Sequence, residues 1–179
     1  KSDKYAFENI LNTRIFDKNK LNIKNQNVVF IILESFSQEY VDKGYTPFLT
    51  NLVKKSLYFN SNYANGRRSL EALPSILSGF PSLIGKPIYQ SQFQANEFLG
   101  LPQILKNLGY KTSFFHGGKR GTMDFDAYCN SIGIEKYYAL EDYPNQDHYD
   151  GHWGIYDHHY FNYFASKLNK EKEPFFSSI

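Results

Sequence analysis

Sulfur chemistry has almost no foothold in this chain. A single cysteine, Cys129, stands among 179 residues, which excludes an internal disulfide and any cysteine-based metal cluster. No apolar run approaches the roughly 20 residues needed to cross a bilayer as a helix. The chain opens on Lys1-Ser2-Asp3, with neither an initiator methionine nor a signal peptide pattern. The formal net charge is +2, too small for an electrostatic footprint on nucleic acid. Tryptophan and methionine occur once each, against 16 Phe and 15 Tyr. That aromatic excess suits a sheet core and a cleft facing carbohydrate or lipid. The length suits one domain with a sizeable core, and 41% apolar residues is the composition of a globular protein.

The most informative stretch is Asn65-Gly66-Arg67-Arg68-Ser69-Leu70-Glu71-Ala72-Leu73-Pro74-Ser75-Ile76-Leu77-Ser78-Gly79. It reads as a glycine-containing loop with two guanidinium groups, then a hydroxyl at the mouth of a short apolar helix over 69–77. Ser69 at or next to the N-cap could accept from an open backbone N–H. The same arrangement suits a phosphate, which Arg67 or Arg68 would clamp with paired donors. A capped helix with two surface arginines is the plainer alternative. Upstream, Val28-Val29-Phe30-Ile31-Ile32-Leu33 is an unbroken apolar run that ends in Glu34-Ser35. Such a run predicts a strand buried on both faces in the middle of a parallel sheet. A carboxylate at its end lies at the edge where α/β sheets bind ligands. By itself Glu34 reads more plainly as a solvated residue at a strand end; as a site residue it is expected to neighbour Ser69 in space.

Together these stretches resemble the alkaline phosphatase and sulfatase superfamily, and within it the lipoteichoic acid synthase branch of phosphoglycerol transferases. Leu33-Glu34-Ser35 matches the end of the family's first strand, and Tyr45-Thr46-Pro47-Phe48-Leu49 its Thr-Pro helix. Asn65 to Leu77 matches a nucleophile helix of the form Asn-Gly-x-x-Ser-x-Glu-x-x-Pro-Ser-x-Leu. The resemblance implies an α/β fold with an alkaline-phosphatase-like central, largely parallel sheet sandwiched by helices. It implies Ser69 as nucleophile, and Glu34 with Ser69 as ligands of one divalent ion, Mn²⁺ or Mg²⁺. It also implies further ligands beyond Ile179, so that the 179 residues alone would be inactive. A phospholipid would donate phosphoglycerol, and a polymer or glycan would accept it. A membrane segment absent from this sequence would precede the catalytic domain on the outer face of the cytoplasmic membrane.

Residues 1–26 carry six Lys/Arg against three acids and read as a basic lead-in, with 27–179 as the amino-terminal portion of the catalytic domain. Basic residues there suit either headgroups or a solvated lead-in helix with Tyr5, Ala6, Phe7, Ile10 and Leu11 on one face. A helix with Thr46 as N-cap and Pro47 at its first position follows the strand. Residues 57–63 alternate well enough for a second strand. Residues 80–99 form a long loop over the site. A helix over 100–108 and a buried strand over 110–115 come next, ending in His116-Gly117-Gly118. In the family a Phe-His-Gly sequence occupies this place, so His116 is a candidate for contact with phosphate or leaving group, the alternative being a structural histidine at a turn.

A helix over 122–133 capped by Thr122 and an edge strand over 134–140 complete this half. The Trp-x-Arg that contacts glycerol phosphate in the lipoteichoic acid synthases is replaced by Met123-Asp124-Phe125-Asp126, so those contacts do not carry over. Asp142, Asp147, His148, Asp150, His152, Asp157, His158 and His159 are chelating types without a metal-cage spacing. They read as mostly surface, with Asp157 capping a helix to 168. The closing Glu173–Ile179 stretch opens a further core strand. A sulfatase or generic phosphodiesterase is the first rival. A formylglycine sulfatase needs Pro two residues after its nucleophile and then Arg, whereas Leu70-Glu71-Ala72-Leu73 follow Ser69. A non-catalytic fragment or binding domain is the second rival.

Overall fold

The computed structural model describes residues 25–82, 85–96 and 98–179. The lead-in face expected around Tyr5 to Leu11 lies outside the described residues. Four strands form one parallel sheet: β1 (Val28–Phe30), β2 (Lys111–Phe115), β3 (Lys136–Tyr138) and β4 (Phe175–Ser178). Their order is β1-β4-β2-β3, so the last strand in the chain lies between the first two. Among the described residues six α-helices accompany them: α1 (Gln38–Asp42), α2 (Pro47–Val53), α3 (Ser69–Ser78), α4 (Leu101–Lys106), α5 (Phe125–Ser131) and α6 (Asp157–Leu168). This is the expected α/β architecture.

Phe114 and Phe115 are consecutive in β2, and successive strand residues point to opposite faces. Phe114 enters a cluster with Leu73 and Leu77 of α3, Tyr128 and Cys129 of α5, and Phe176 of β4. Phe115 enters another with Leu140, Tyr143, Ile155, and Tyr160 and Phe164 of α6. Helices thus cover the central strands from both sides. Burial also forces internal partners on the hydroxyls there. Ser113 and Ser177 pair across β2 and β4 at 2.8 Å, and Thr112 donates to the Gly133 carbonyl at 2.7 Å.

Several expectations need correction. The stretch from Val28 to Leu33 is not buried on both faces: Val29, Ile31 and Leu33 are 42%, 55% and 41% exposed. β1 stands at the edge of the sheet, and no described element covers its second face. Residues 57–63 form no strand. Asn60 and Ser61 make a turn instead, as residues with turn-forming side chains favour, and Leu57, Phe59 and Tyr63 stay exposed. The helix expected over 122–133 is split. Thr122–Asp124 is a 3₁₀ turn in which Met123 and Asp124 take left-handed conformations, and α5 begins only at Phe125. The loop over 80–99 carries a 3₁₀ turn, Ile88–Gln90, that buries Ile88 and Tyr89 in the core. α6 takes Asp157 as its first residue rather than its cap. α2 has the expected Thr46 cap position and Pro47 start.

Candidate active site

Parallel strands deliver their carboxyl ends to one edge of a sheet, and the candidate residues gather there. β1 and β4 run in register, with Val28 opposite Phe176 and Phe30 opposite Ser178. Pairing continues past the strands, as the Ile179 N–H donates to Phe30 and the Ile32 N–H to Ile179, at 2.9 and 2.8 Å. Glu34 follows directly. Ser35 next to it holds a left-handed backbone, φ 51°, uncommon for a residue with a side chain and a mark of local constraint. Its hydroxyl donates to Oε1 of Glu34 at 3.3 Å.

The other half of the site comes from the start of α3. Arg68 occupies the N-cap with an extended backbone, and Ser69 is the first helical residue, one place later than the cap position considered for it. Gly79, in the left-handed conformation at φ 62°, closes the helix, as glycine commonly does. The Ser69 hydroxyl donates directly to Oε2 of Glu34. Two residues 35 positions apart are therefore joined side chain to side chain.

A residue to which the sequence reading assigned no role organises the loop before Ser69. Glu71 is buried, 8% exposed, yet its carboxylate has a full set of partners. Oε1 accepts from Nε and Nη2 of Arg68 at 3.1 and 2.7 Å, and Oε2 accepts from the Arg67 N–H at 2.9 Å. The Arg68 guanidinium, followed by the Arg67 N–H, holds the Glu71 carboxyl below the usual range. Gly66 lies so close that a Cβ there would fall 2.6 Å from the Glu71 Cβ. Counted from Ser69, Glu71 stands only two residues on; from the observed N-cap, Arg68, it stands at the third position, from which a glutamate can reach back to main-chain N–H groups. Asn65 adds an anchor, its Oδ1 accepting from the Ser82 N–H. Arg68 is thus already engaged, and also reaches the Gly85 carbonyl at 3.3 Å. Arg67 is exposed, with no side-chain partner among the described residues.

His116 lies at the same edge at the end of β2 but is not brought against Ser69 or Glu34. One strand, β4, intervenes, so the strand axes are roughly 10 Å apart. Its ring packs edge-on to Phe125 at 5.4 Å, and its Nδ1 is buried without a hydrogen-bond partner among the described residues. Burial lowers its pKa, so the ring is neutral near pH 7 and acts there as a hydrogen-bonding group rather than a cation.

The chelating types further on do not make a metal centre. His148 and His159 stack face to face, 3.5 Å between ring centres at 3°, and His158 lies 3.9 Å from His159. Parallel rings aim their nitrogens alongside one another, so they do not converge on one ion. Among the described residues no group of three His, Cys, Asp or Glu is arranged to hold a metal. Asp150 is occupied by the N–H groups of His152, Trp153 and Gly154 at 2.8 to 3.1 Å. Glu34 and Ser69 remain the pair that fits a hard divalent cation, supplying two adjacent oxygens of the type such ions take. No helix among the described residues is long and apolar enough to cross a membrane.

Comparison with known proteins identifies the family. The family model described as Sulfatase matches residues 26–179. The lipoteichoic acid synthase-like protein YvgJ of Bacillus subtilis is 28% identical over 173 residues, which cover 91% of this chain and 28% of that protein. A lipoteichoic acid synthase of Staphylococcus aureus is 29% identical over 167 residues, 87% of this chain and 26% of that protein. This chain therefore spans less than a third of the length of these curated relatives. A solved protein of the alkaline phosphatase superfamily from Vibrio parahaemolyticus superposes with a TM-score of 0.79 at 25% identity, over 88% of this chain and 40% of that one. The lipoteichoic acid synthase LtaP of Listeria monocytogenes superposes with a TM-score of 0.75 at 20% identity, over 87% and 40%, a likeness of fold. Matched from residue 26 through to Ile179, the chain belongs to the sulfatase family, and its likeness within that family runs to the lipoteichoic acid synthases.

Proposed function

We propose that this chain is the nucleophile-bearing part of a phosphoglycerol transferase acting on the outer face of the cytoplasmic membrane. The donor is a phospholipid of the phosphatidylglycerol type, and the acceptor is an alcohol on a polymer or glycan. The observation that carries this reading is the Ser69 hydroxyl donating to the Glu34 carboxylate at the carboxyl edge of the sheet. The similarity to lipoteichoic acid synthases supports the choice of donor.

Glu34 holds the Ser69 proton and aims the oxygen away from the helix. As Ser69 Oγ attacks phosphorus its proton passes to the Glu34 carboxylate, the phosphorus–oxygen bond to diacylglycerol breaks, and that oxygen leaves with the proton from Glu34. The acceptor hydroxyl then attacks the phosphoglyceryl-serine, and its proton returns to Ser69. Charge on the phosphoryl oxygens is met by an arginine of the loop. His116, neutral and one strand removed, would meet the far end of the headgroup or the leaving group. A divalent ion on Glu34 and Ser69, Mn²⁺ or Mg²⁺, would when bound lower the pKa of the hydroxyl and supply the positive charge that a phosphate needs.

The test uses the full-length protein with Mn²⁺ and fluorescent phosphatidylglycerol, following diacylglycerol. Wild type should release it, Ser69→Ala should lower release by about a thousandfold or more, and a chelator should stop the wild type. Equal release by both would remove Ser69 from the mechanism. Turnover confined to sulfate esters or other headgroups would move the protein to another branch.

A further inference from the structure

We infer that the two adjacent arginines have separate duties. Arg67 meets the anionic group of the substrate, while Arg68 and Glu71 are positioning residues that hold the loop bearing Ser69. The inference rests on the reading of this loop as a phosphate-transferring site, and it concerns which cation serves that site.

The two guanidinium groups differ in what already surrounds them. Arg68 gives Nε and Nη2 to one oxygen of Glu71, at 3.1 and 2.7 Å, and Nη2 also faces the Gly85 carbonyl at 3.3 Å. An incoming phosphate would have to compete with a carboxylate in contact with the same nitrogens. A buried carboxylate deprived of that partner is costly, so the pair resists exchange. The second Glu71 oxygen fixes the Arg67 main chain through its N–H at 2.9 Å. Gly66 packs so close that a Cβ added there would lie 2.6 Å from the Glu71 Cβ, which tightens the same knot. Glu71 thus pins the backbone of Arg67 and neutralises Arg68, leaving the Arg67 guanidinium, among the described residues, as an uncompensated charge two residues from the nucleophile. Bidentate recognition of a phosphate needs a guanidinium whose donors are open.

The test reads anion binding separately from turnover. Full-length protein is titrated with inorganic phosphate and, in parallel, with sulfate, and both affinity and Tm are followed. Arg67→Ala should weaken phosphate binding about tenfold with the ligand-free Tm unchanged. Arg68→Ala and Glu71→Gln should lower the ligand-free Tm and keep the phosphate-induced rise, and Arg68→Lys should recover part of the lost Tm. One further variant distinguishes positioning from simple support. In Arg67→Ala/Glu71→Gln the released Arg68 should restore part of the phosphate affinity, which a merely structural Glu71 would not do. Loss of phosphate binding in Arg68→Ala at unchanged Tm, or full binding in Arg67→Ala, would overturn the inference. Because phosphate and sulfate are the probes, absence of phosphatidylglycerol turnover would count against the proposed donor and leave this assignment standing.

Discussion

The two flanks of β4 are packed to very different degrees. On one side β2, β3 and the helices that cover them bury Phe115, Tyr128, Ile132 and Phe176 almost completely. On the other side, β1 and the segments following it leave Val29, Ile31, Leu33, Phe48, Leu57, Phe59 and Tyr63 exposed. Composition does not distinguish these regions, since both are rich in large apolar residues. What differs is the presence of a covering layer. An apolar run records a capacity for burial, and burial itself needs a second surface.

The comparison can be broken most forcefully at its packed side. Phe176→Ala should cost about 3–5 kcal/mol of stability, read as a shift of the denaturant midpoint. A loss below about 1 kcal/mol would mean that the central strand is not the keystone its burial indicates. A smaller effect should come from acid. Burial lowers the pKa of His116, and burial followed by the neighbouring His148 and His158 lowers that of His159. For a base whose folded-state pKa lies below its unfolded value of about 6.5, the unfolded chain binds the extra proton first. Stability is then full above that value and is lost as pH falls through it, levelling once the folded-state pKa is passed. Unfolding at about pH 7 and about pH 5 should show this loss, and His159→Asn should reduce it. A stability profile flat over that interval would contradict the assignment. The smallest effect is expected at the open side, where Ile31→Thr should move stability by no more than about 0.5 kcal/mol in the 179-residue chain. A cost approaching that of Phe176→Ala would show that this face is covered in solution.

How much was legible in the sequence follows the same division. The unbroken apolar run gave β1, and the strand end placed Glu34 where it meets Ser69. The buried strand before His116 was equally plain, because Thr112 to Phe115 have neighbours on both faces. Ser69 falls next to the cap, one of the two positions open to it, a choice that periodicity does not resolve because helix ends fray by a residue or two. The strand expected over 57–63 fails on its own Asn60-Ser61-Asn62, whose turn chemistry outweighs a weak alternation. Split duties for Arg67 and Arg68 were invisible, since two like residues in a row become unlike only when one finds a carboxylate. Glu71 was hidden for a related reason: its spacing becomes that of a reach-back glutamate only once Arg68, not Ser69, is the cap.

One consequence concerns how the molecule is handled. Ile179 is laced by main-chain bonds between Phe30 and Ile32, a few residues from Glu34. The main chain at Ile179 is therefore held within a few residues of Glu34, so an oligohistidine inserted there would compete for any added cation. Labels intended to leave the chemistry undisturbed belong on the remote face, on the exposed turn of α6 around Asn169 and Lys170.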